Sequence, residues 1–119
     1  MSIGEPDQRI WIGVKTVIHK GDRMHAVVRN YSGAGAKQLF DLLEQRKADV
    51  EANLRKVPGL VSYMLLRSDD GGMSVTVCKD KAGADESLKV ARDWIQKNAS
   101  NIHANPPVVT EGSVIVEIK

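Results

Sequence analysis

Several side chains in this 119-residue sequence are of types that do chemistry. An amide such as Asn30 can orient a carbonyl or O2 by hydrogen bonding; the competing reading is a strand-end amide that satisfies neighbouring backbone. Trp94 offers a ring on which an aromatic ligand can stack, or it packs along a helix edge on Val90 and Asn98. His103 is of the right type for a general base or a metal ligand, or it is a loop histidine on the surface. His25, Arg29 and Tyr31 alternate along one strand face. Together they suit an anionic ligand, and they suit interface hydrogen bonds equally well. Tyr63 completes the substrate-contact candidates. Cys78 has no basic neighbour in its pattern, so a buried, inert thiol is expected.

The motifs with sharper chemistry are missing. Ser32-Gly33-Ala34-Gly35 has the glycines of a phosphate loop without the Gly-Lys-Ser/Thr that follows them. No Gly-x-Ser-x-Gly elbow occurs. No second histidine or carboxylate stands at ligand spacing from His103, so a metal site is not expected. One cysteine excludes a disulfide framework. The 17 Lys and Arg against 15 Asp and Glu leave a net charge of +2, too weak for a nucleic-acid footprint. No apolar run approaches the roughly 20 residues of a membrane helix. Glu5 and Asp7 stand before Arg9 in a polar N-terminus that does not resemble a secretory signal, so a cytoplasmic protein is expected. Only five aromatics (Trp11, Tyr31, Phe40, Tyr63, Trp94) are present. Aliphatic side chains must therefore build most of the core of a single domain.

The elements that must position these groups follow from periodicity. Residues 1–22 form an N-terminal extension with a disordered start and a strand over 10–18; an alternative is a native start at Met24. Residues 23–119 form the main domain. Met24 to Tyr31 alternates as a strand. Met24, Ala26, Val28 and Asn30 are expected on the helix side, and His25, Val27, Arg29 and Tyr31 on the other. Ala36, Leu39, Phe40, Leu43, Val50 and Leu54 share one face of a helix over 35–56. Leu60–Arg67 and Met73–Lys79 form a hairpin across a Gly-containing loop. Asp80 caps a second helix over 82–98, with Ala84, Leu88, Ala91 and Ile95 as its core stripe and Trp94 on its flank. A last strand lies within 108–119, where Val114, Val116 and Ile118 alternate.

The order is βαββαβ. It predicts an α+β, ferredoxin-like antiparallel sheet with helices on one face, the first strand lying between the third and fourth. The other sheet face is apolar and bare, which favours burial against a second copy as a homodimer. The N-terminal segment folding back is the alternative cover.

The phrases Gly71-Gly72-Met73-Ser74-Val75-Thr76-Val77-Cys78, Ala82-Gly83-Ala84-Asp85-Glu86-Ser87 and Ala91-Arg92-Asp93-Trp94-Ile95 give the pattern a family likeness. It resembles the dimeric α+β-barrel superfamily typified by antibiotic-biosynthesis monooxygenases (ABM domains), from Arg23 onward. The resemblance implies sheet-to-sheet dimerisation into a barrel. It also implies cofactor-independent oxygenation of a small hydrophobic aromatic substrate. Non-catalytic ligand binding or partner interaction is the alternative. The haem-degrading branch uses an Asn at the end of the first strand, a Trp on the second helix and a His about ten residues on. Asn30, Trp94 and His103 occupy similar places, so haem binding is a further alternative.

Overall fold

The computed structural model of the protein describes residues 23–119. The strand expected over 10–18 lies outside the described residues. The elements run β1 (His25–Ser32), α1 (Ala36–Gln45), α2 (Lys47–Leu54), β2 (Leu60–Ser68), β3 (Gly71–Cys78), α3 (Lys81–Asn98) and β4 (Val108–Ser113). The strands form one antiparallel sheet in the order β2-β3-β1-β4. The expected α+β, ferredoxin-like arrangement is therefore the observed one, with β1 between β3 and β4.

Local chemistry explains the boundaries. Asp80 caps α3 by accepting a hydrogen bond from the Gly83 N–H at 2.9 Å, as its type and position predict. The long helix expected over 35–56 is instead two helices meeting at Arg46, whose φ of -108° and ψ of 26° leave the helical region. Arg46 N–H still reaches Leu42 O and Val50 N–H still reaches Arg46 O, so the junction is a kink with its ladder intact. Leu39, Phe40 and Leu43 of α1 and Val50 and Leu54 of α2 still join one buried cluster across the kink, although the exposed Lys47 interrupts their stripe.

The last strand is shorter than its alternation suggests. β4 pairs only with β1, and Ser113 is already opposite His25. One more bond, Val114 N–H to Met24 O at 2.9 Å, ends the pairing. Ile115, Val116 and Ile118 beyond it are 83%, 74% and 91% exposed.

The faces of β1 are the reverse of the expected ones. Val27, Arg29 and Tyr31 are buried beneath the helices, together with Ser74, Thr76 and Cys78 of β3. Ala26, Val28 and Asn30 lie on the open face with Met73, Val75 and Val77, to which they are paired in register or adjacent. A strand with apolar side chains in both files does not say which file meets the helices. The core tips the balance: Val27 and Tyr31 join Leu39, Phe40, Leu54 and Trp94 in one buried cluster. Burying aliphatic and aromatic side chains of this size stabilises the fold by about 1.5–3 kcal/mol each.

The loop after α3 is docked on the loop before α1. Gly35, at φ +79°, presents no Cβ to His103 O and Ala104, which a side chain there would meet within 2.8 Å. Asn105 N–H donates to Ala34 O at 3.0 Å. This contact fixes residues 102–107 as a wall beside the sheet.

Candidate functional site

The site is built from β1 upward. Arg29 and Tyr31 share the inward file of a strand covered by α3, and their side chains floor two adjoining spaces. One is a narrow chamber of about 30 Å³ under α2 and α3, walled by Leu43, Val50, Leu54, Tyr63 and Trp94. That volume suits about one water-sized group. The other is a cleft of about 590 Å³ between α3, β1, β4 and the 102–107 loop, walled by Leu39, Leu88, Ile102, Pro107 and Val109. Arg29, Tyr31 and Ile95 belong to both.

Arg29 is only 7% exposed. Its Nε donates to Ser74 Oγ at 3.3 Å, and its guanidinium carbon lies 5.8 Å from the centre of the Tyr31 ring. Among the described residues no carboxylate forms an ion pair with it. The two tyrosines nearby are neutral phenols. Burial pushes Tyr63 up to about 12, and the Arg29 charge pulls the other way without prevailing. Burial also raises Tyr31, again against Arg29. At neutral pH both are hydrogen-bond donors and acceptors; neither is a base.

The shift of Tyr63 sets a pH dependence. An unfolded phenol ionises near 10, whereas the folded one holds its proton to about 12. Between those values the unfolded state has lost a proton that the folded state keeps. Stability that is complete below pH 10 therefore falls as pH rises, by roughly 2–3 kcal/mol across the window. Tyr31 adds in the same direction. Urea denaturation at successive pH values is expected to show this decline, and Tyr63→Phe to make it shallower. An unchanged profile in Tyr63→Phe contradicts the assignment.

Trp94 is buried in the middle of the α3 stripe, not on its flank. The ring walls the chamber, and its Nε1–H donates to Asp49 Oδ2 at 2.8 Å. Asp49 also pairs with Arg46 Nη2 at 3.0 Å, and the Arg46 guanidinium lies 5.7 Å from the Trp94 ring centre. The kink between α1 and α2 is thus tied to α3 through one indole. Asn98 Nδ2 donates to the Trp94 backbone carbonyl at 3.0 Å.

The structure brings Arg29, Tyr31, Tyr63 and Trp94 together. The other candidates stand apart. Asn30 is exposed on the open face of the sheet, because the inward file of β1 is the odd-numbered one. His25 is inward but lies at the far end of β1, where its Nε2 is 2.8 Å from Glu111 Oε1. His103 is exposed on the loop after α3 and lines neither space. Asn30, Trp94 and His103 therefore do not converge, and they do not fit a haem held by that histidine. Among the described residues no group of three His, Cys, Asp or Glu side chains is placed to hold a metal ion.

Ser74, Asn53 and the 102–107 loop are parts of the site that the sequence did not flag. Ser74 carried a signal. A strand whose inward file is Ser74, Thr76 and Cys78 leaves room above it that bulky side chains would fill.

The fold is shared with solved structures. A Nitrosomonas europaea protein of unknown function superposes with a TM-score of 0.62 at 15% identity, over 85% of this chain and 97% of that one. A candidate antibiotic biosynthesis monooxygenase from Caulobacter crescentus follows at 0.60 and 17%, over 81% and 93%. This chain has the ABM-like fold. An MhuD variant with two manganese protoporphyrin IX molecules per active site also matches, with a TM-score of 0.57 at 18% identity over 81% and 98%. No family model and no curated protein matches the sequence. Among the described residues no helix is long and apolar enough to cross a membrane.

Proposed function

We propose that this ABM-like chain is a cofactor-independent monooxygenase for a small hydrophobic aromatic substrate, acting as a homodimer. The observation that supports it is the 590 Å³ cleft, apolar along its walls and floored by Arg29 and Tyr31. Such a space is large enough for a fused-ring phenol and offers few polar groups to fix its orientation. A ring that has lost a proton can itself reduce O2. The carbanion gives one electron to O2, and the two radicals join as a peroxide anion. This anion takes up a proton from solvent to become a hydroperoxide, replacing the proton the ring gave to solvent. Loss of water then leaves a carbonyl where the carbon held two hydrogens. One O2 is consumed and one water released per substrate. The chain's part is to bind the ring, stabilise its deprotonated form with the Arg29 charge, and exclude bulk water.

A second reading, non-catalytic ligand binding, is favoured by one feature. The residues lining the cleft include no His, Cys, Asp or Glu to take a proton. Oxygen-electrode measurements with anthrone-type and hydroquinone-type substrates separate the two. Enzyme-dependent O2 uptake with formation of the carbonyl product is the expected result. Saturable binding without O2 uptake overturns the oxygenase and leaves the binding protein.

The homodimer rests on the open sheet face. Val28, Met73, Val75 and Val77 line it, and Met64 and Leu66 there are 56% and 44% exposed. Apolar surface of this extent is costly in water and is self-complementary across a two-fold axis. Sedimentation is expected to show a dimer, and Val75→Arg, which places a charge at the centre of the face, to give a folded monomer. A wild-type monomer at all concentrations contradicts the dimer.

A further inference from the structure

We propose that the cleft selects ligands carrying an anionic oxygen on a hydrophobic ring, a carboxylate or a phenolate, which pairs with the guanidinium of Arg29. This rests on the reading of the cleft as a ligand site and adds the charge of what enters it.

Arg29 is more than nine-tenths buried, and the protein supplies its charge with no carboxylate among the described residues. Every acidic side chain on the surrounding elements that makes an ion pair is engaged elsewhere. Asp41 and Glu44 of α1 pair with Arg67, Asp49 with Arg46, Glu51 with Arg55, and Glu111 of β4 with His25. Nε of Arg29 donates to Ser74. The guanidinium also meets the Tyr63 phenol, which is neutral, so among the described residues no group that meets it carries a negative charge. A guanidinium cannot shed its proton in a protein, so burial with neutral partners alone is unfavourable unless something else supplies the negative charge. Its planar fork matches a carboxylate in two parallel hydrogen bonds. Tyr31 lies beside it, and Arg92 at the cleft adds a second positive charge. No lining residue of either space is acidic, so nothing there repels an anion.

Matched ligands test the charge and leave the shape unchanged. Calorimetric titration of the full chain with 1-naphthoate and with the neutral 1-naphthamide is expected to show the acid binding roughly tenfold to a hundredfold more tightly, the effect of one charge-assisted pair. Titration with 2-naphthol is expected to tighten as pH rises through its own ionisation, which separates phenolate from carboxylate recognition. In Arg29→Met the ratio of acid to amide affinity is expected to fall to about one. In Arg29→Lys part of the preference returns. Naphthoate is expected to raise the melting temperature of the wild type and not of Arg29→Met. Equal affinity of wild type for acid and amide, which needs no variant to fold, overturns the proposal and leaves the aromatic cleft standing. So does a preference that survives Arg29→Met. Failure of acid, phenol and amide alike overturns the cleft as an aromatic site and the anion with it.

Discussion

Replacing Gly72 by alanine is expected to cost about 3 kcal/mol of stability, at the upper end of what overpacking does. Gly72 is buried in β3 between Tyr31 of β1 and Arg67 of β2. A Cβ there would run into Leu66 O on one side and the edge of the Phe40 ring on the other. Backbone in a four-stranded sheet has little freedom to yield. Phe40 in turn meets Tyr31 edge to face, with ring centres 5.8 Å apart. A displaced Phe40 therefore disturbs the tyrosine that floors the cleft, and weaker ligand binding should accompany the lost stability. Gly112 is the matched control, because nothing stands within 4 Å of where its Cβ would be. Gly112→Ala is expected to change stability by no more than about 0.5 kcal/mol. Urea denaturation of both variants checks the contrast, and a Gly72→Ala variant as stable as Gly112→Ala contradicts the packing described.

Truncating Trp94 to alanine is expected to destabilise by roughly 3–5 kcal/mol, the range for emptying a large buried ring. The ring joins α3 to the sheet, and its N–H joins α3 to the kink through Asp49. Trp94→Phe keeps much of the ring volume and loses the hydrogen bond. Its expected cost is about 1–2 kcal/mol, since Asp49 retains Arg46 as a partner. A double-mutant cycle of Trp94→Phe with Asp49→Ala isolates the bond and is expected to show a coupling of about 1 kcal/mol or more. If Trp94→Ala costs under about 1 kcal/mol, the indole does not tie the two layers together. Trp94 then serves first as a structural wall whose face is available to a ligand.

Much of the fold was legible because its signals are local and consistent. The β2–β3 hairpin follows from two strand-like runs around Asp69-Asp70 and the following glycines, and Asp80 announces the start of α3. The strand order follows from connection geometry once the βαββαβ sequence of elements is known. What sequence pattern could not decide was the facing of β1. Ala26 and Val28 are as apolar as Val27, so alternation alone does not say that the file carrying the Arg29 charge meets the helices. The structure buries that charge. Such local inconsistency between residue type and environment is where functional sites are expected.

The site was legible in part for the same reason. Arg29, Tyr31, Tyr63 and Trp94 were recognisable as candidates by type. Their meeting depends on the inward file of β1, on the kink at Arg46 and on a tryptophan at the centre of the α3 stripe. Asn30 and His103 matched a spacing along the chain. Alternation and an exposed loop put them on surfaces that face away from each other's expected partner. The 102–107 wall carries no periodic signal, because it is held by isolated backbone bonds, Ile102 N–H to Ala99 O and Asn105 N–H to Ala34 O, and by a glycine at positive φ.

Chemical-shift mapping of the amide spectrum during titration with 1-naphthoate tests most directly which side of the sheet receives the ligand. Saturable shifts at Ile95, Ile102, Ala104 and Val109 are the expected result. Shifts confined to Met64, Val75 and Val77 on the opposite face would contradict the site described.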